Sequence, residues 1–334
     1  MKHFQKTFIL CALVLCLALS GCNMGPSQEK ANSEEEALTH FLTDLQSGDF
    51  EQVRTYLREG NPLLYLLPVG EGEEPLAREN VYKQFRDKMG GMSFRITEGE
   101  FSANGMIYTA VKQYDFKEGI YTAMLDALQT QCREGGSAFA DYAGWLSAGI
   151  ADAEMGEEDT IRATVIKNSG SYTVDHRGYT DHDFMNLITG GFYDYADFQM
   201  AVCTGTMDGV EHRYYIAAQG DEVIAYLEEV AEEDLTGEID DEIVAGLNEF
   251  YEQYAAEQEG IYMNVYREGD KIVTSAAIDF RTVSQTALIN AGIVSGVYDS
   301  NMYNTHLSLA ATVSSFEKAG MTCVVTPVYE AEKS

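Results

Sequence analysis

Apolar residues recur along this chain with two different periods, and the two periods predict two kinds of element. Spacings of three and four residues, which place apolar side chains on one face of a helix, predict helices. The predicted helices cover residues 33–47, 49–57, 77–89, 115–134, 138–153, 180–189, 239–256, 283–290 and 307–319. Alternation with period two predicts strands. The predicted strands cover residues 92–96, 106–112, 160–167, 171–175, 198–206, 210–218, 222–230, 260–267, 271–280 and 321–328.

The order of these elements predicts an α+β fold in two domains. Residues 33–195 contain helices, two strands, a helical pair, a hairpin across residues 168–170 and a short closing helix. Residues 198–330 begin with a three-stranded meander and form a second antiparallel-sheet α+β domain. A new strand pattern follows a pair of helix-terminating glycines, so a domain boundary near residues 195–197, with separable halves, is predicted.

One predicted helix of the second domain has a long apolar face. Ile239, Ile243, Leu247, Phe250 and Tyr254 are spaced so that they share one side of the helix over residues 239–256.

The N-terminus carries the pattern of an export signal. Lys2 and Lys6 precede an apolar run over residues 8–19, which is short for a bilayer span. Leu19-Ser20-Gly21-Cys22 then has the small residues and the cysteine of a lipoprotein cleavage site. The sequence predicts a signal peptide over residues 1–21, lipidation of Cys22 and a polar tether over residues 22–32. An ordinary signal or anchor segment is the alternative.

The charge of the chain limits its partners. The sequence has 54 acidic and 22 basic residues, a formal net charge of −32. Such a charge repels phosphate backbones, so nucleic acid is excluded as a partner. After the signal there is no second long apolar run, so we expect the Cys22 lipid to be the only membrane anchor, on the outer face of the cytoplasmic membrane.

The strongest charge anomaly is the stretch from Tyr214 to Val265, which contains no lysine or arginine. Asp234, Asp240 and Asp241 surround Gly237, and such a cluster is a candidate calcium site. The spacing is not that of an EF-hand, and a solvated acidic face is the alternative. No cofactor motif is present, and we expect no cofactor.

The densest ionisable cluster is a candidate for acid–base catalysis. His176, Asp181, His182 and Asp183 lie close together in the sequence, and a His/Asp pair can serve as general acid and base. The structural alternative is a helix N-terminus capped by Thr180, where acidic side chains are stabilising.

Three cysteines remain after the predicted cleavage and lipidation. Cys203 and Cys323 lie on the first and last strands of the second domain, and such strands are often neighbours in a compact sheet. A disulfide between them, with Cys132 as a buried thiol, is one outcome, because export permits oxidation. Three separate buried thiols are the other.

Each half resembles a family of bacterial lipoproteins. The N-terminal half resembles the NTF2-like lipoproteins of Gram-positive bacteria through Phe41, Leu45, Asp115-Phe116, Tyr172-Thr173-Val174 and residues 184–192. This resemblance implies a cone-shaped fold, here with a helical insertion. The C-terminal half resembles the YehR-like lipoproteins at residues 269–273, 277–280 and 316–321. The functions of the NTF2-like lipoproteins are mostly unassigned, although the resemblance implies a cone in which an Asp or His at the mouth can act as a general base. The function of the YehR-like family is unassigned, and that family supplies no active site.

Together these features predict a lipid-anchored extracellular protein that acts as a non-catalytic binding or interaction module. Its ligand is expected to be a small apolar molecule or an envelope protein. A surface enzyme with a His/Asp pair in the cone is the alternative. The cone interior distinguishes these readings: a deep cavity favours ligand binding or catalysis, and a cone filled by side chains favours a partner surface.

Overall fold

The computed structural model describes most of the chain beyond residue 30. The described ranges are 31–58, 61, 63–66, 79–97, 106–168, 170–174, 179–195, 198–207, 209–233, 241–290 and 307–327. The predicted signal peptide, Cys22 and most of the predicted tether lie outside these residues.

The described residues form nine helices longer than one turn, a one-turn helix, a short 3-10 helix and ten strands. The helices are α1 Glu34–Ser47, α2 Phe50–Thr55, α3 Leu63–Leu66, α4 Glu79–Met89, α5 Phe116–Glu134, α6 Tyr142–Asp152, α7 Tyr179–Ile188, the 3-10 helix Phe192–Tyr195, α8 Asp241–Ala256, α9 Gln285–Asn290 and α10 Leu309–Lys318. The strands are β1 Ser93–Ile96, β2 Met106–Tyr114, β3 Met155–Asn168, β4 Ser171–Val174, β5 Phe198–Met207, β6 Val210–Gln219, β7 Glu222–Glu233, β8 Ile261–Glu268, β9 Lys271–Asp279 and β10 Thr322–Pro327.

The strands form two antiparallel sheets, which confirms the predicted α+β class. The first sheet has four strands in chain order, β1-β2-β3-β4. The second has six strands in the order β10-β5-β6-β7-β9-β8. Strand β3 begins at Met155, whereas the alternation predicts a start at residue 160. The additional residues pair with the end of β2. Most of them are exposed, so no apolar alternation marks them in the sequence.

Side chains fill the space between the four-stranded sheet and its helices. Phe85 is fully buried, and its ring lies 4.5 Å from that of Phe192, 5.4 Å from that of Phe116 and 6.4 Å from that of Phe50, measured between centroids. Phe184 is buried in the same cluster. The aromatic rings belong to the hydrophobic core of the protein.

The hydrophobic core continues from the first half into the second. Helix α5 lies against one face of the six-stranded sheet, where the Gln131 side chain donates to Glu229 of β7 and the Ser275 hydroxyl of β9 donates to the carbonyl of Cys132. One buried cluster contains residues of both halves, among them Phe116 and Leu227. The boundary near residues 195–197 stays a prediction, but the core does not divide there.

A disulfide joins the first and last strands of the second sheet. Cys203 of β5 is directly opposite Cys323 of β10 in the antiparallel register, and the two side chains are bonded. Cys132 is a buried free thiol on α5. Of the two outcomes left open by the sequence, the structure has the one with a single bridge.

Candidate functional site

Helix α8 lies beside β8, the strand at one edge of the six-stranded sheet. The side-chain oxygen of Asn248 accepts a hydrogen bond from the backbone N–H of Val265 at 3.3 Å. At the start of the helix, Asp241 lies 3.5 Å from the Nε of Arg267 on β8. None of the residues of α8 is buried. The half-buried residues of the helix, Val244, Asn248, Tyr251 and Ala255, are spaced by three and four positions, so the side of α8 that lies against β8 is partly apolar and only partly covered.

The apolar face of α8 is turned to solvent instead. Ile243 is 46% exposed, Leu247 40%, Phe250 63% and Tyr254 37%. These four residues, which we call the α8 stripe, are offset by about a third of a turn from Asn248, at about 100° per residue. Together they leave a patch on the order of 300 Å², the size of the largest apolar patch on a typical monomer, which is often functional.

The side of the α8 stripe away from the sheet is acidic. Glu242 and Glu249 are both exposed there. Gln253 donates a hydrogen bond to the Glu249 carboxylate at 3.4 Å, and no ion pair joins either glutamate to a basic side chain among the described residues. The helix lies within the stretch from Tyr214 to Val265 that lacks lysine and arginine. The patch thus combines large apolar side chains with uncompensated negative charge.

A cleft of about 430 Å³ lies behind α8, between its C-terminal end, the last turn of α5 and the start of β8. Cys132, Arg133, Glu252, Tyr262 and Asn264 are among its lining residues. Burial raises the pKa of the Cys132 thiol to about 11, so the thiol is protonated at neutral pH and is a poor nucleophile.

A second groove, of about 540 Å³, lies between the start of α5 and the end of α6. Its acidic lining residues are Asp115, Glu118, Asp126, Asp152 and Glu154. Asp115 accepts a hydrogen bond from the backbone N–H of Glu118 and so caps α5, as the sequence predicts. Within the described part of the chain, no three acidic, histidine or cysteine side chains converge as a metal site requires.

A buried ion pair lies where α5 meets the six-stranded sheet. Glu229 of β7 is fully buried; its carboxylate lies 3.4 Å from the Nη1 of Arg213 and accepts hydrogen bonds from Gln131 at 3.3 Å and from Tyr215 at 3.4 Å. Burial raises the pKa of the Glu229 carboxyl above its ordinary value, although Gln131 and Arg213 lower it in part. The sequence gives no signal for this pairing, which depends on the register of β6 and β7.

The raised pKa of Glu229 makes a testable contribution to the pH dependence of stability. Since its pKa in the folded protein is above the usual 4.5, the folded state holds this proton more tightly than the unfolded state. Its contribution to the unfolding free energy is therefore largest at low pH and declines as pH rises from about 4.5 through the folded pKa.

We expect Glu229→Gln to remove that decline. The difference in unfolding free energy between variant and wild type, measured by urea titration at several pH values, should shift in favour of the variant as pH rises above about 4.5. Glu158→Gln, at the exposed partner of Arg95 on the other sheet, is the control. A difference that moves in the opposite direction would contradict the assignment.

The candidate catalytic cluster is only partly described. His176 lies outside the described residues, and of Asp181 only the backbone is described, in α7. The side chain of His182 is 44% exposed, with its Nδ1 3.8 Å from Asp183 and its Nε2 3.1 Å from Asp194. Helix α7 begins at Tyr179, so Thr180 lies inside its first turn and the prediction of an N-cap there is wrong by one or two positions.

Asp194, which the sequence analysis missed, is the centre of this contact. Its carboxylate, 11% exposed, accepts from Asn186 at 2.7 Å and lies 3.2 Å from the Nζ of Lys117. Lys117 of α5 and both Asn186 and His182 of α7 thus contact Asp194 of the 3-10 helix. The left-handed Gly190 and Gly191 reverse the chain and bring Asp194 back to α7. The arrangement joins three elements and is consistent with a structural role.

The candidate calcium cluster is likewise only partly described. Asp234 and Asp240 lie outside the described residues, and the 96% exposed side chain of Asp241 faces Arg267. Among the described residues no helix combines the length and apolar character that crossing a bilayer requires.

Comparisons with known proteins give weak similarity only. No family model matches the chain, and no curated protein matches it. The solved NMR structure of the E. coli YehR protein is similar with 19% identity and a TM-score of 0.30, over 37% of this chain and 89% of that one. An NMR structure of a protein from Streptococcus pneumoniae TIGR4 is similar with 11% identity and a TM-score of 0.28, over 38% of this chain and 84% of that one. Neither similarity is strong enough to assign a family or a function.

Proposed function

We propose that this chain is a lipid-anchored, non-catalytic module of the cell envelope that binds a protein partner through the α8 stripe. The observation that carries the proposal is the outward orientation of Leu247, Phe250 and Tyr254, which are 37–63% exposed on a helix whose other side, with Asn248, lies against β8. The anchor rests on the sequence around Cys22, and with it the location on the outer face of the cytoplasmic membrane.

A protein partner fits the molecule better than a small apolar ligand. The buried aromatic cluster around Phe85 fills the space between the first sheet and its helices, which is where a ligand of an NTF2-like cone would lie. The two clefts described above open at the surface instead, and both have several charged side chains among their lining residues. Aromatic side chains that are accessible on a surface, such as Phe250, are the usual anchors of protein interfaces.

We also propose a family relationship for each half of the chain. An NTF2-like first half is supported by helices packed on an antiparallel sheet, with α5 and α6 inserted between β2 and β3. A YehR-like second half is supported by the sequence segments named above. Neither relationship supplies a catalytic residue, so the proposed function does not depend on them.

Photo-crosslinking through α8 in intact cells tests this function. A photoreactive phenylalanine analogue at position 250 should give a discrete adduct between this protein and a second polypeptide. The same analogue at Tyr108 of β2 is the matched control and should give no adduct. Tyr108 is an aromatic residue that is exposed as well, at 43%.

Two results would contradict the proposal. One is the absence of any intermolecular adduct from positions 247, 250 and 254. The other is an adduct formed only within the chain, which would mean that another segment of the same protein covers the α8 stripe.

A further inference from the structure

Building on the proposed function, we propose that the partner of α8 presents an amphipathic helix whose apolar residues are flanked by lysine or arginine. The inference rests on two features of the same patch: the spacing of its apolar residues and the sign of the charge beside them.

The spacing suits a helical partner. From Ile243 to Tyr254 the α8 stripe extends over eleven residues, about 16 Å at 1.5 Å per residue. Its large side chains recur at intervals of three and four, so they form a straight ridge along about three turns. A ridge of this length pairs with a helix that carries its own apolar residues at matching intervals.

The charge selects the composition of that helix. Glu242 and Glu249 border the outer side of the α8 stripe without a basic partner among the described residues. A basic residue on the incoming helix would neutralise them, whereas an acidic one would be repelled. The same repulsion disfavours a second copy of this chain, whose net charge is −32, and an anionic lipid surface.

Two synthetic peptides that differ only in the charge of their flanking residues test the inference. Both carry the same leucines at helical spacing; one has lysine and the other glutamate at the flanking positions. Their binding to the protein spanning residues 31–334 is measured by fluorescence anisotropy at low and at high salt. The lysine peptide should bind at least about tenfold more tightly at low salt, and the difference should shrink at high salt because salt screens the exposed charges.

Variants of α8 separate the two features. Phe250→Ala should weaken binding of the lysine peptide by about tenfold or more, as expected of an aromatic anchor at the centre of a contact. The double variant Glu242→Gln/Glu249→Gln should reduce the preference for lysine over glutamate and leave the apolar contribution in place. Glu154→Gln, at an exposed acid of the distant groove, is the matched control.

Equal affinity for the two peptides, tighter binding of the glutamate peptide, or no binding of either would overturn this inference. A dimer of the protein that dissociates on Phe250→Ala would overturn it as well, because a second copy would then be the occupant. The crosslink through position 250 does not depend on the partner's charge. If position 250 gives a crosslink but the lysine peptide is not preferred, the proposal of a basic partner helix is wrong and the binding surface stands. If neither the crosslink nor the preference is observed, the binding surface itself is wrong.

Discussion

Residues 31–195 and 198–327, expressed separately, are expected not to form stable domains. Separation would expose residues of the six-stranded sheet that pack in the shared core, among them fully buried Leu227 and Ala277, and Phe198, whose ring lies 5.2 Å from that of Trp145 on α6. It would also leave Glu229 without Gln131, and Asp279 without its hydrogen bond from Tyr121. At about 25 cal/mol per Å² of apolar surface, uncovering about 300 Å² would cost an amount comparable to the whole stability of a typical domain.

The protein spanning residues 31–334 should accordingly unfold in one cooperative transition by calorimetry, with equal calorimetric and van't Hoff enthalpies. The separate second half should lack a cooperative transition. Mixing the two halves, as a control, should restore structure if the loss arises from the missing interface. Two halves that each unfold cooperatively would contradict the shared core and would support the separable domains that the sequence pattern predicts.

Removal of the disulfide is expected to lower the unfolding free energy by about 4 kcal/mol. Cys203 and Cys323 are separated by 120 residues, and the chain-entropy model gives about 4–5 kcal/mol for a closed loop of this size. The bridge fixes β10, an edge strand of the sheet, to β5, which is its one neighbour among the described strands. The double variant Cys203→Ala/Cys323→Ala should show this loss in urea titration.

Wild-type protein treated with a reductant should reproduce the loss, and the double variant should not respond to the reductant. Cys132→Ala is the control, because it removes the free thiol and should keep the response to reductant. Denatured protein spanning residues 31–334 should contain one free thiol. Three free thiols, or a stability that is the same with and without reductant, would contradict the bridge.

Local signals predicted much of the secondary structure. The helices predicted from residues 33 and 115 begin there, with Ser33 and Asp115 as N-caps, and the hairpin between β3 and β4 lies where the sequence places it. These features depend on residues three or four positions apart. The contact of Cys203 with Cys323 follows from pairing of the first and last strands of a sheet. The sequence left this outcome open, since one register slip would place the two side chains on opposite faces.

Features that depend on tertiary packing were not predictable. The apolar face of α8 would ordinarily indicate a helix packed on a core, yet it is the side with Asn248 that lies against β8. No local pattern reports which side of a helix meets the sheet. Asp194 likewise lies twelve positions from His182 and reaches it only through the chain reversal at Gly190 and Gly191. The shared core also has no signature in the sequence. A linker-like stretch near residue 196 followed by a strand is expected both for two separate domains and for a single core.

The central claim is that the α8 stripe is a binding surface and not part of the core of this protein. Its most direct test is the unfolding free energy of Phe250→Glu, measured by urea titration on the protein spanning residues 31–334. Because Phe250 is 63% exposed, its replacement should change the unfolding free energy by no more than about 0.5 kcal/mol. Phe85→Ala, in the buried aromatic cluster, should cost about 3–5 kcal/mol in the same assay. A loss of 2 kcal/mol or more on Phe250→Glu, about what burial of a phenylalanine contributes, would show that the isolated protein already covers this side chain and would contradict the account.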